Sequence, residues 1–436
     1  MIYPASHFMP GSEHEIKVIS KRFSLPGAGS LDTYLANEGY QAFLKASKLS
    51  QDAIIDEVKK SALRGRGGAG FPAGMKWSFL PRQSPKPKYI VCNGDESEPA
   101  TCKDRLLMQF DPHAIFEGMM IAGLAVGAHQ GYIYVRGEFR FLIEMVEKAI
   151  DEAYARGYLG KNIQGTGFDF DLVVHTGAGA YECGEESALL ESLEGKRGIP
   201  RIRPPFPAVA GLYQCPTILN NVETFASVPP IIMQGGEWYH SLGTPKNGGT
   251  RLYNISGHVN RPGAYELPLG MPLRKMIYEV AGGIPGGRKL KAVIPGGSST
   301  PVMTPEMLDT PMDFDSVAKA GSMLGSGGVV VMDETTDMVA VALRIMRFYA
   351  HESCGWCIPC REGTTWLRKT LQRFYDGGGS TRDIDLINDL AQNMLGRTFC
   401  PLGDAAAMPT LGIIKYFRHE FEAHLEKNRQ AVGAPA

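Results

Sequence analysis

Asp171-Leu172-Val173-Val174-His175-Thr176-Gly177-Ala178-Gly179-Ala180-Tyr181-Glu182-Cys183-Gly184-Glu185-Glu186 is the stretch on which the fold turns. Residues 171–175 read as a strand, Gly177-Ala178-Gly179 closes it, and residues 185–194 read as a helix. Upstream, Lys88-Tyr89-Ile90-Val91-Cys92 and Gly131-Tyr132-Ile133-Tyr134-Val135-Arg136 read as further strands. Residues 141–155 read as a helix with Leu142, Met145, Val146, Ala149 and Ile150 inward. Strands alternating with helices imply an α/β unit around a largely parallel sheet.

Working outward, Ser50 is suited to cap a helix that carries Ile54, Ile55, Val58 and Ala62 on one face. Residues 245–330 are richer in Gly, Pro and Thr. Short strands at 252–257 and 263–266 and a helix at 273–281, stopped by Gly282-Gly283, suggest a small α+β domain. From Met338 the pattern is helical. Residues 365–375 and 383–395 form two of the helices, the second striped by Ile384, Ile387, Leu390, Ala391 and Met394, capped by Thr381 and stopped by Gly396. Short links between them suggest a bundle.

The chain has 436 residues, 44% apolar and 21% charged, with a net charge of −1. That balance suits a globular protein and gives no basic patch for nucleic acid. The longest apolar stretch, 118–128, falls short of the roughly 20 residues a membrane span needs. Nothing at the N-terminus resembles a signal peptide, so a cytoplasmic protein that meets a membrane through partners is expected.

Four of the eight cysteines, Cys92, Cys102, Cys183 and Cys215, are scattered and read as small core residues. The others, Cys354-x-x-Cys357-x-x-Cys360 and Cys400 before Pro401, form a triplet and a singleton. A [4Fe–4S] cube needs four thiolates, commonly three from a tight loop and one from elsewhere. Gly355 and Pro359 suit such a loop. Structural zinc is the rival, although it usually shows paired Cys-x-x-Cys units.

Gly65-Arg66-Gly67-Gly68-Ala69-Gly70 matches G-x-G-x-x-G, but a helix precedes it where a dinucleotide fold requires a strand. Its amides, Arg64, Arg66 and nearby Lys76 suit phosphate oxygens, and a tightly packed turn is the equal alternative. The loop at 177–186 does follow a strand and open a helix. Its carboxylates suit hydroxyls or ring nitrogens, or else serve the helix dipole. Asp95-Glu96-Ser97-Glu98 ends a strand, a common ligand position in α/β sheets. Asn220-Asn221-Val222-Glu223-Thr224 is a further polar cluster, with a helix cap as its plain alternative. Two glycine loops, polar strand ends and a cysteine cluster together suggest a nucleotide-type redox cofactor exchanging electrons with a metal cluster. A non-catalytic scaffold around a structural metal is the rival of another class.

Six segments, in this order, resemble the flavin subunits of respiratory complex I, the F or 51 kDa-type subunits of NADH:quinone oxidoreductases. They are residues 64–72, 95–99, 177–181, 183–186, 220–224 and Glu352-Ser353-Cys354-Gly355-Trp356-Cys357. The resemblance implies an N-terminal region (1–60), a Rossmann-like α/β FMN domain (61–244), a ubiquitin-like α+β domain (245–335) with an Arg261-Pro262-Gly263 turn, and a helical bundle (336–436) holding the [4Fe–4S] cluster on Cys354, Cys357, Cys360 and Cys400. It implies FMN contacts at Gly65, Arg66, Gly67, Lys76, Asn93, Asp95, Glu96, Ser97, Tyr181, Gly184, Glu185, Asn220, Asn221 and Thr224. It implies NADH contacts at Phe71, Lys76, Phe79, Glu98, Glu186 and Phe206. Glu98, near the nicotinamide, and Glu186, at nucleotide hydroxyls, would position and tune rather than transfer protons. A carboxylate at Glu98 would disfavour an anionic reduced flavin and lower its potential.

The implied reaction is hydride transfer from NADH to FMN, followed by single electrons to the cluster and onward to quinone. The implied partners are a thioredoxin-like [2Fe–2S] subunit and a large iron–sulfur subunit, on the cytoplasmic peripheral arm of a bacterial inner-membrane complex. The alternative within the resemblance is the diaphorase subunit of an NAD-linked hydrogenase or formate dehydrogenase. Members of the family commonly carry Ala at Gly94, Gly at Ala100, Tyr or Phe at Cys102, an apolar residue at Glu182 and Thr at Ser187. The charge at Glu182 is expected near the nucleotide loop.

Overall fold

The computed structural model describes residues 4–433, with side chains to Glu426. Four strands, β1 (Tyr89–Gly94), β2 (Gln130–Val135), β3 (Asp171–Thr176) and β4 (Thr217–Asn221), form a parallel sheet in the order β3-β2-β1-β4. The longer helices that accompany it are α1 (Gln51–Lys60), α2 (Lys103–Phe110), α3 (Pro112–Val126), α4 (Arg140–Ala155) and α5 (Glu186–Leu193). Ser50 Oγ accepts the Ala53 amide and so caps α1, as its side chain predisposes it to do.

The apolar stretch at 118–128 lies mostly within α3, which is buried on all sides because it has no polar face to present to water. A Cβ on Gly118 would collide with the Phe225 carbonyl, so glycine here allows a neighbouring short helix to cross closely. The chain leaves β1 through α2 and α3 to reach β2 and β3 on one side, then returns to place β4 on the other. The resulting reversal between β1 and β4 opens a crevice at their carboxyl ends, where ligands bind in folds of this kind.

The second sheet comprises β5 (Thr250–Gly257), β6 (Gly263–Pro268), β7 (Leu290–Ile294) and β8 (Gly328–Asp333), in the order β6-β5-β8-β7. Only β5–β8 is parallel. Helical turns from Leu273 to Val280 cover one face and end ahead of Gly282 and Gly283, both at positive φ.

The bundle contains α6 (Met338–Glu352), α7 (Ile358–Arg373), α8 (Thr381–Met394) and α9 (Leu402–Gly433). Two expectations are corrected here. The cap of α8 is Ser380, which forms a reciprocal box with Asp383, and Thr381 is its first helical residue. Helix α7 begins at Ile358 rather than Thr365, so Pro359 opens a helix instead of shaping a loop and Cys360 lies in the first turn.

Three buried glutamates tie the parts together. Glu117 of α3 accepts the Tyr40 amide at 3.0 Å, the Phe43 amide at 2.8 Å and the Tyr34 hydroxyl. Glu223 accepts the Leu252 amide of β5 at 2.8 Å and pairs with Lys103 at 3.0 Å. Glu266 of β6 accepts the amides of Val18, Ile19 and Ser20 at 2.9–3.0 Å. A buried carboxylate is tolerated only when it is hydrogen-bonded or paired, and each of these is.

Candidate functional site

The crevice between β1 and β4 is lined at its floor by Asn93, which stands opposite Asn221 in the register. Asn93 Nδ2 donates to the Gly184 carbonyl at 2.9 Å, and its Oδ1 accepts the Asp95 amide at 3.1 Å. The glycine loop at 177–186 is thereby drawn against the acidic loop. A Cβ on Gly184 would lie 3.7 Å from Asp95 Oδ2 and 4.0 Å from Ser97 Oγ. Asp95 Oδ2 is buried with no protein partner. Burial lifts the Asp95 carboxyl to about 7, with Arg136 opposing the rise. An unsatisfied buried oxygen beside bare glycine backbone is what a site for a hydrogen-bonding ring requires.

The first glycine loop joins from the other side. The Arg66 amide donates to Thr224 Oγ1 at 2.9 Å, and a Cβ on Gly67 would sit 3.4 Å from Asn221 Cβ. The two guanidiniums expected at a phosphate point elsewhere. That of Arg66 is fully buried and donates to the carbonyls of Arg64, Gly248 and Thr250 at 3.0–3.1 Å. That of Arg64 donates to the Gly70 carbonyl and Asp315. Gly65 contributes through its amide, which donates to the Phe71 carbonyl at 2.8 Å and closes the loop. Lys76 Nζ lies 2.9 Å from Glu186 and 2.8 Å from the Leu219 carbonyl, and Asn220 Oδ1 accepts the Trp77 indole at 2.9 Å.

The carboxylates divide by task. Glu96 accepts the Asp104 and Arg105 amides at the start of α2, and Glu185 accepts the Ser187 and Ala188 amides as the cap of α5. Both are engaged by helix ends. Glu186 faces Lys76 and Arg203. Burial opposes its ionisation, but the two cations prevail and hold its carboxyl below the usual range. Glu98 accepts from the Tyr181 hydroxyl at 2.7 Å, the Ser299 amide at 2.9 Å and Ser298 Oγ at 3.1 Å. Phe71, Phe79 and Phe206 stand exposed, with the first two rings 6.0 Å apart. Exposed aromatic rings grouped in this way suit a binding surface.

Sequence reasoning missed the charges beneath this floor. Lys103 Nζ is buried within 2.7 Å of Asp104, 3.0 Å of Glu223 and 3.0 Å of Asn221 Oδ1, and Asp104 accepts Asn221 Nδ2 at 2.7 Å. These residues orient Asn221. Only a Lys-Asp pair at a helix start announces them, and such a pair normally signals a solvated turn. Arg203, which pairs with Glu186, was missed for the same reason.

The four clustered cysteines line one small cavity with Glu182, Ser353 and Trp356. Cys360 lies in the first turn of α7 and Cys400 two residues before α9. Trp356 and Phe399 meet edge to face at 4.2 Å across its mouth. Burial raises the thiols of Cys354 and Cys400, and that of Cys360 to about 11. Four thiols without a lysine or histidine suit an iron–sulfur cluster, whose irons strip the protons. Glu182 departs from expectation: its carboxyl lines this cavity rather than the nucleotide side. The scattered Cys92, Cys183 and Cys215 are buried, whereas Cys102 is only half-buried.

Comparison with known proteins agrees with this geometry. Residues 58–230 match the Nuo51 FMN-binding domain, 252–303 the SLBB domain, and 340–424 the NADH-ubiquinone oxidoreductase-F iron-sulfur binding region. The last match favours iron–sulfur over zinc. The chain is 53% identical to the second F-type subunit of the NADH-quinone oxidoreductase of Rhizobium meliloti (strain 1021), over 94% of this chain and 98% of that one. It is 54% identical to the F-type subunit of the NADH-quinone oxidoreductase of Mycobacterium bovis, over 94% and 93%. Among solved structures, the NAD+-reducing [NiFe]-hydrogenase in the air-oxidized state aligns with a TM-score of 0.81 at 36% identity, covering 94% of this chain and 67% of that one. The quinone-linked relatives share more identity, and share it over nearly the full length of both chains; this chain belongs to the family of F-type subunits of NADH-quinone oxidoreductases.

Proposed function

We propose that this chain is the NADH-oxidising subunit of a bacterial NADH-quinone oxidoreductase and passes electrons singly to its own iron–sulfur cluster. One observation carries the reading. Consecutive residues of one loop serve both sites: Tyr181 binds Glu98 at the crevice, Glu182 lines the cysteine cavity, and Gly184 lies against Asp95. Redox groups held at these two sites would share one loop, an arrangement that would favour direct electron exchange between them.

When bound, FMN supplies acceptance of a hydride from NADH and release of electrons one at a time, chemistry that belongs to the cofactor. The chain supplies position. Asn93, Asp95, Ser97, Gly184, Asn220, Asn221 and Thr224, with the backbone of Gly65, Arg66, Gly67, Glu96 and Glu185, would hold the flavin. Tyr181 would close its inner edge. Phe71, Phe79 and Phe206 would hold the adenine, Lys76 and Glu186 the phosphates and hydroxyls, and Glu98 would stand at the nicotinamide. Cys354, Cys357, Cys360 and Cys400 would hold the cluster. Beside it Trp356 and Ile358 are exposed at 46% and 65%, an apolar surface suited to the large iron–sulfur subunit through which electrons leave. Among the described residues no helix is long and apolar enough to cross a membrane. Placement on a peripheral arm, with a thioredoxin-like [2Fe–2S] subunit as the other neighbour, fits that finding.

Replacing Cys360 by Ser in the intact enzyme tests the order of events. NADH is expected still to bleach the flavin, while the reduced-cluster EPR signal of this subunit disappears. An unchanged EPR signal would remove the cluster assignment.

A further inference from the structure

Glu98 is gripped from outside the sheet that carries it. Its Oε2 accepts from the Tyr181 hydroxyl, and its Oε1 accepts Ser298 Oγ and the Ser299 amide, which follow β7 in the second domain. Ser298 Oγ also lies 3.1 Å from the Tyr349 hydroxyl of α6. The turn bearing the serines is itself fixed. The Gly297 amide donates to the Gly328 carbonyl at 2.7 Å, and Ser326 Oγ donates to the Gly296 carbonyl at 3.1 Å. Gly297 has a φ of +97°, and a Cβ there would lie 2.6 Å from Glu98 Cγ and 2.7 Å from Oε1. Glycine is therefore needed twice at this position, for the backbone conformation and for the approach to the carboxylate.

A glutamate with free rotamers would sample several positions. Three donors from two separately anchored segments, the loop of Tyr181 and the turn of Ser298 and Ser299, leave it one. We propose that Ser298 and Tyr349 are positioning residues for the NADH site. With the Ser299 amide, they hold the Glu98 carboxylate in place at the nicotinamide end and make the ubiquitin-like domain a wall of that site. This rests on the assignment of Glu98 to the nicotinamide end.

The test is a double-mutant cycle in the intact enzyme, following NADH oxidation with ferricyanide as acceptor. Ser298→Ala is expected to raise the KM for NADH about three- to tenfold, the effect of losing one hydrogen bond, and to change kcat less. Tyr349→Phe should act in the same direction, and Ser298→Thr should restore most of the loss. In a Glu98→Gln background Ser298→Ala should add little, because the group it positions has been altered. Equal effects of Ser298→Ala in both backgrounds, or a loss that only tracks lowered thermal stability and flavin content, would overturn the proposal. Failure of NADH to bleach the wild-type flavin would instead overturn the functional reading on which it rests.

Discussion

Ala100 has a φ of +74°, in the left-handed region, at a position where the family commonly carries glycine. The Cβ clash with the following carbonyl costs an alanine there about 1–2 kcal/mol, partly offset by the greater chain entropy of an unfolded glycine. Ala100→Gly should therefore stabilise the protein by about 0.5–1 kcal/mol in denaturant unfolding. Asp95 makes a second prediction. Its folded pKa of about 7 lies above its ordinary 3.8. The neutral form is thus favoured by folding, and that contribution is present below pH 4 and lost as pH rises through 7. In flavin-free protein, the stability of Asp95→Asn relative to wild type should grow between pH 4 and pH 7, by at most about 1.4 kcal/mol per pH unit. A pH-independent difference would mean that Asp95 is ionised in the folded chain. The identities of such residues were legible in the sequence but their directions were not. Arg66 looked like a phosphate ligand, yet three carbonyls, two of them far along the chain, claim its guanidinium.

At the scale of elements, period revealed α1, α4 and α8, because their apolar stripes repeat with the helical turn. Helix α3 was hidden because burial on every face erases the stripe. Strands β7 and β8 were hidden because they are short runs that a helix interior could equally supply. The segment at 16–20 gave no signal, since its order comes from Glu266 some 250 residues away. Glu266→Leu should release it. Loss of the carboxylate leaves the amides of Val18, Ile19 and Ser20 without their acceptor, at about 1–3 kcal/mol for each that stays buried and unpaired, and is expected to speed tryptic cleavage after Lys17 and Lys21. Unaltered cleavage would show that packing around Ile19 and Phe23 suffices to hold the segment.

Across the whole molecule, the grouping of four cysteines was legible because thiol spacing is local chemistry, and the crevice was legible because strand ends and glycines are local too. Hidden from the sequence was the chain of contacts in which α6 holds Ser298 and residues 298–299 reach the acidic loop, made by three separate parts of the fold. Electron flow from NADH through flavin to the cluster of this chain would show in visible and low-temperature EPR spectra of the anaerobic enzyme taken before and after NADH. Bleached flavin bands together with a new reduced-cubane signal that depends on Cys354, Cys357, Cys360 and Cys400 are the result expected. Flavin that NADH leaves oxidised, or a signal that survives loss of these cysteines, would rule out this route for the electrons.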